Sequence, residues 1–435
     1  MSAPGTINSD YLESLLSGQP HLPASPLAWL NTLRAEAVDR VGALTVPTLR
    51  DEEWRFTDIS LLTKMSFHPV RTTINLQAAD IERFYIEEAT TRLVFVDGVF
   101  SSQLSSVSSD QGVVVINLED GLASRAAAIE PYLGHLTEFR DNVFAALNTA
   151  FLHDAALIVV PRDISVTVPV HLLFIATQKD VVSYPRCLLL AESGSAVTVI
   201  EDYVSLQEDA YFTNAVTEIA LVDNARVTHI RVQREGSKAF HIANCAVSLA
   251  RASNYQSVSV AFGARISRYN LNVQLAEEAE CAVDGLALIS GRQLADTHTC
   301  IDHAKPNAIS RQTHKCIVGG SAHAVFNGKI MVRQGAQRTD SRQSSRNLLL
   351  TSKAHVDTKP QLEIFADDVK CTHGATIGQL DNEEVFYLQS RGLSDEAARN
   401  MLTYAFGAEI IERIPVSSLK CQLEQTVLEQ TTVQL

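Results

Sequence analysis

Hydrophobic residues along the chain change their spacing twice. Near the start they recur at helical intervals: in SPLAWLNTLRAEAVDRVGAL, Leu30, Leu33, Ala37 and Val41 fall on one face. Ser25 is placed to cap this helix, Pro26 suits its first position, and Gly42 closes it. RDEEWRFTDIS, Arg50 to Ser60, then sets Trp54 and Phe56 among charges, a pattern for a short segment docking on the next domain. From about Thr91 to Gln379 the period falls to two. RLVFVDG, AVTVIEDY, ARVTHIRV, CAVSLA, DGLALIS and QLEIFAD are short runs rich in Val, Ile and Leu, ending at Gly, Asn, Asp or Ser. Asp284-Gly285 and Asn327-Gly328 open two similar strands. Beyond Gln379 the helical spacing returns.

That last part predicts three helices. Asp381 with Glu384 forms a capping-box pattern ahead of VFYLQSRG, with Gly392 at the C′ position. Ser394 starts the second helix, with Asp395 and Glu396 in its first turn, where the helix dipole favours anions. Ala398, Met401, Leu402, Ala405, Ala408 and Ile411 line one side, and Pro415 ends the run. A third helix around Leu419, Leu423 and Val427 packs back on it. Between Ser183 and Gln379 no helix is predicted, and so long a run of strands without crossovers excludes a doubly wound α/β sheet. A sandwich, a propeller or a β-helix solenoid remain, although the short repeat of a simple solenoid is missing.

The chain has 435 residues and a formal net charge of −14, which argues against non-specific binding to nucleic acid. No apolar stretch reaches the roughly 20 residues of a membrane span. The N-terminal stretch MSAPGTINSDYLESLLSG carries acidic residues and the first arginine is Arg34, unlike a secretory signal or a transit peptide. Seven scattered cysteines without a C-x-x-C spacing make a disulfide framework unexpected and a reducing cytoplasm the natural setting.

Several chemistries are excluded by motif. Gly328-Lys329 lacks the upstream glycine of a phosphate loop, since His323 stands there, and Ile330 replaces its Ser or Thr. No G-x-S-x-G or H-E-x-x-H occurs. Asp367-Asp368 reads as a solvated turn. Three Cys/His pairs stand two residues apart: His298/Cys300, His314/Cys316 and Cys371/His373. On a strand such a pair shares one face about 7 Å apart, so both could reach one ion. The first two read as packing residues. KCTHGATIGQ, Lys370 to Gln379, differs, because it stands where strands give way to helices. Two donors hold iron weakly, since a stable site needs three or four. A partner chain is the economical source of the rest.

The segment Arg346 to Ile410 resembles the C-terminal region of the SufB/SufD family, scaffold proteins of the SUF iron–sulfur cluster assembly system. KPQLEIFADDVKCTHGAT (Lys359 to Thr376), FYLQSRG (Phe386 to Gly392) and AARNMLTYAFGAE (Ala397 to Glu409) carry it, with EEWRFTD (Glu52 to Asp58) as an N-terminal signature. Where SufB-like sequences read E-H-E-A-T, this chain reads H-G-A-T with Gly374 in place of the glutamate, which is the SufD pattern.

The resemblance implies a mainly β protein: a right-handed parallel β-helix core (89–380) of roughly ten coils, about 50 Å long at the spacing of sheet strands. N-terminal (1–88) and C-terminal (381–435) helical domains would flank it. It implies a non-catalytic scaffold that pairs with SufB and binds the ATPase SufC through the C-terminal helices, with two SufC copies in all. His373 and Cys371 would be ligands of a transient iron–sulfur cluster at the SufB interface, His373 the stronger candidate. A reduced flavin bound by the complex is a further cofactor candidate. The rival readings are a β-helix polysaccharide lyase or hydrolase and a self-paired homodimer.

Overall fold

The computed structural model describes residues 11–70, 74–108 and 112–434; the expectation about targeting signals in the first ten residues falls outside them. Strands alternate between two parallel sheets, so that each coil contributes one strand to each, and the sheets face one another across a common interior. This is a parallel β-helix, which selects the solenoid among the three architectures left open. One sheet holds eight strands paired in parallel, fewer than the ten expected, and the stack measures about 40 Å. Its last six strands are β1 (Leu294–His303), β2 (Ile309–Val318), β3 (His323–Val332), β4 (Thr339–Leu349), β5 (His355–Ile364) and β6 (Val369–Gly378). The odd-numbered three belong to one sheet, hereafter sheet A, and the even-numbered three to the other, sheet B.

One corner explains why no short repeat is visible. In successive coils Gly194, Asn224, Ala252, Glu278, Asn307 and Arg338 take left-handed backbone (φ +71, +60, +54, +58, +61 and +59°). Each donates its N–H to a carbonyl of the following coil: Gly194 to Asp223, Asn224 to Arg251, Ala252 to Glu277, and so on to Arg338 and Asp368. Each is followed by a small residue, and Ser195, Ala225, Ser253, Ala279, Ala308 and Thr339 form a buried column. Stacking holds Ala252, Glu278 and Arg338 in a conformation that an isolated chain would reserve for glycine or asparagine. Coil length also varies, as the paired residues Phe240, Ile266, Leu294, His323 and His355 show.

Helices cover both outer faces of the middle coils. α1 (Ala28–Ala43), α2 (Leu118–Ile129) and α3 (Val143–Ala150) bury Leu30, Leu33, Leu118 and Phe144 against sheet A residues such as Leu188, Phe212 and Phe240. α1 buries the four residues expected of it but begins at Ala28, because the Ser25 hydroxyl accepts from Leu27 N–H two residues upstream of the helix. α2 and α3 interrupt the strand region without having been anticipated; α3 is buried along its whole length and so shows no polar face. On the opposite side α4 (Asn382–Ser390), α5 (Asp395–Ile411) and α6 (Ser417–Gln434) follow the strands. Ile410, Ile411, Leu419, Leu423 and Val427 pack on Ile230, Val258, Leu286 and Ile317 of sheet B. Asp381 and Ser394 cap α4 and α5 as expected. The buried stripe of α5 runs through Ala398, Thr403, Gly407, Ile410 and Ile411, leaving Met401 and Ala405 exposed rather than inward.

Gly285 and Gly328 lie within strands, not at their starts. Their missing side chains admit the His314 ring and the Gln343 amide to the interior. No helix among the described residues is long and apolar enough to cross a membrane. All seven cysteines are free.

Candidate metal-ligand site on the terminal coil

The two ends of the solenoid differ. At the first coils, antiparallel strands Val99–Phe100 and Val114–Asn117 finish the two sheets. At the other end β5 and β6 pair on one edge only. Each is ten residues long, and Ile364, Phe365 and Ile377 stand exposed along or just beyond them. A long unpaired edge bearing apolar side chains is a template for another strand.

Cys371 and His373 lie on β6, opposite Ser341 and Gln343 of β4. The pleat puts both on the face that continues the solenoid interior. Cys371 is half-buried and packs with Val369 and Leu362 against the end of the core. Burial pushes its thiol above the ordinary value, so ligation to iron must release its proton. His373 is exposed.

The interior beneath the pair is polar. His303 Nε2 lies 2.9 Å from Ser310 Oγ, which donates to Ser341 Oγ at 2.7 Å, one rung below Cys371. In the adjacent column Gln343 Nε2 donates to Gln312 Oε1, and Gln312 Nε2 to Thr299 Oγ1, each at 2.8 Å. Gln343 Oε1, one rung below His373, is buried without a partner. Such an acceptor is costly unless a donor meets it, and the open end is where one can arrive.

Among the described residues, no group of three His, Cys, Asp or Glu donors within 4.8 Å of one another includes Cys371 or His373. A β-carbon added at Gly374 meets nothing within 4 Å. Glycine at that position is therefore not needed to relieve a clash.

The other pairs behave differently. His314 and Cys316 do meet, Nδ1 3.6 Å from Sγ, but both are buried. Burial drives the imidazole down to about 4 and the thiol up to about 12, leaving both neutral and inert. His314 stacks on Phe326 at 4.5 Å. His298 lies on the outer face of sheet A, 3.0 Å from Asp296 and 3.3 Å from Glu53, and is committed to those carboxylates. Cys300 stands near it with a thiol raised by burial. Asp367 and Asp368 form an exposed turn, as expected.

The EEWRFTD segment docks as its pattern predicts. Trp54 lies 5.7 Å from the Phe144 ring and beneath the Arg268 guanidinium at 3.8 Å, and Thr57 Oγ1 donates to Asp296 at 2.5 Å. Glu52 pairs with Lys359 of β5 at 3.1 Å, tying the segment to the terminal coil.

Two family descriptions match the chain: "SUF system FeS cluster assembly, SufBD core domain" over residues 174–406, and "SufBD protein N-terminal region" over residues 6–172. The chain is 42% identical over 407 residues to an iron–sulfur cluster assembly SufBD family protein of Synechocystis, covering 91% of this chain and 89% of the relative. It is 35% identical over 384 residues to the iron–sulfur cluster assembly protein SufD of Escherichia coli (87% and 88%). To the chloroplastic protein ABCI7 of Arabidopsis thaliana it is 33% identical over 430 residues (95% and 89%).

Proposed function

Because the chain belongs to the SufBD family of the SUF iron–sulfur cluster assembly system, we propose that it is a non-catalytic scaffold subunit whose terminal coil lends ligands to a site completed by a second chain. His373 and Cys371 are the donors, His373 the principal one, and iron or the nascent cluster is the cargo. The observation that carries this reading is their position on β6, an edge strand with no further coil beyond it. The second chain is a SufB paralogue, whose strands continue the two open edges and whose glutamate or cysteine supplies what Gly374 lacks.

The C-terminal helices are the docking element for the SufC ATPase. Phe386 and Tyr387 of α4 and Met401 of α5 are large, apolar and exposed, which suits a protein partner. ATP-driven closure of two such ATPases would move the paired scaffolds and open the interface, a hinge-type switch. Seven free cysteines fit a reducing cytoplasm. No feature of the described residues points to a flavin, and none enters this reading. Family membership favours the scaffold over a β-helix enzyme acting on polysaccharides.

The test is anaerobic reconstitution of the three-protein complex, followed by visible absorbance. His373→Ala should abolish most cluster formation and Cys371→Ser lower it, with both partners still bound. Assembly at the wild-type rate by the His373→Ala complex would sink the proposal.

A further inference from the structure

A second group of metal-binding side chains lies elsewhere on the last coils, and the scaffold reading does not use it. His323 opens β3 and His355 opens β5, and the two are direct partners across sheet A. Asp357 follows His355 by two residues, so the pleat returns it to the same face. That face is the outer one, because the alternating Ala324 and Val356 are buried in an apolar interior cluster. His323 Nε2 lies 2.8 Å from Asp357 Oδ2, and His355 Nε2 lies 3.2 Å from the same oxygen. The three ligand atoms all fall within 4.8 Å of one another, and the two rings are 4.9 Å apart.

A carboxylate can accept from several imidazoles across its two oxygens. Here two, from consecutive coils, converge on a single carboxylate oxygen. Ligands at the usual zinc distances stand about 3.3 Å from each other in a tetrahedron, close to the 2.8 and 3.2 Å already present. Two imidazoles and one carboxylate suit borderline divalent ions such as Zn²⁺, Fe²⁺ or Co²⁺, whereas Mg²⁺ and Ca²⁺ prefer oxygen alone. Access is open, since the side chains of His323 and Asp357 are about a quarter exposed and that of His355 is 65% exposed.

We propose that His323, His355 and Asp357 form a binding site for one divalent first-row transition-metal ion on the outer face of sheet A, distinct from the Cys371/His373 pair. The ion bridges the terminal coil to the one before it and keeps at least one coordination position open to water. The site stands whether or not Cys371 and His373 ligate iron.

The test uses Co²⁺ as a spectroscopic probe on the full chain. Titration of the Cys371→Ser/His373→Ala variant should give a visible d–d band that saturates near one equivalent, is displaced by Zn²⁺ and is indifferent to Mg²⁺. His323→Gln and His355→Gln, introduced singly into that background, should each weaken binding at least about tenfold, with far-ultraviolet circular dichroism unchanged. No band in the Cys371→Ser/His373→Ala chain, or a band that survives both glutamine substitutions, overturns the proposal. Because Cys371 and His373 are already absent, neither outcome touches the scaffold reading.

Discussion

At the level of single residues, the terminal coil separates groups that pack from groups that present. His314 and Cys316 have the same i, i+2 spacing as Cys371 and His373, yet burial makes them neutral and inert. Sequence spacing could not tell these pairs apart, because burial depends on whether another coil follows, and that is settled by the whole stack. Gly374 gives a sharp test of whether glycine there serves the fold. Its β-carbon position is open, so Gly374→Glu should change stability by no more than about 0.5 kcal/mol in urea unfolding. A loss of several kcal/mol would mean that glycine serves the fold. The aromatic anchor of EEWRFTD was legible as a docking segment, but its partners Phe144 and Arg268 were not, since they come from distant parts of the chain.

Among elements, helices are held to strands by a few buried polar ties as well as by apolar packing. Glu218, fully buried on sheet A, accepts from Arg186 at 2.5 Å and from the N–H groups of Gly134, Leu136 and Thr137. It therefore joins the loop between α2 and α3 to the solenoid. Glu218→Ala strands a buried guanidinium and three donors, and should cost on the order of 3–5 kcal/mol of stability by denaturant unfolding. A loss below about 1 kcal/mol would show that the loop docks by packing alone. The C-terminal helices were readable from spacing and caps and α1 from its spacing, although Leu27 rather than Ser25 precedes its first turn and it runs past Gly42 to Ala43. α2 and α3 were not: α3 is buried all round, and α2 is kinked at Arg125 (φ −142°, ψ 23°), which breaks its repeat. The strands were legible as strands, but their corners were hidden, because stacking puts Ala252, Glu278 and Arg338 in left-handed backbone.

For the whole molecule, buried histidines set the response to acid. Burial lowers His303 and His314 to about 4, and lowers His171 and His241 as well. A ring that binds protons less readily when folded than when unfolded stabilises the neutral state. That benefit is complete above the unfolded value near 6.5 and is lost as pH falls from there towards 4. For His303 and His314 the loss at pH 5 is about 2 kcal/mol each. Midpoints of urea unfolding should therefore fall steadily from pH 7 to pH 5, and His314→Gln should flatten the slope. Equal midpoints at the two pH values would contradict this assignment of buried charge.

The architecture as a whole, strands framed by helices, could be read from the changes in period, and the family resemblance selected the solenoid. The contrast between a closed and an open end was not read: Pro360 within β5 marks an edge strand, but it stands alone among ordinary strand residues. That contrast is the centre of the account, whose proposal puts at the open end the second chain that would complete what Cys371 and His373 begin. Amide hydrogen exchange of β5 and β6, measured with and without a SufB paralogue bound, tests it most directly. The account predicts strong new protection confined to residues 355–378. Stable complex formation with exchange in those two strands unchanged would contradict it.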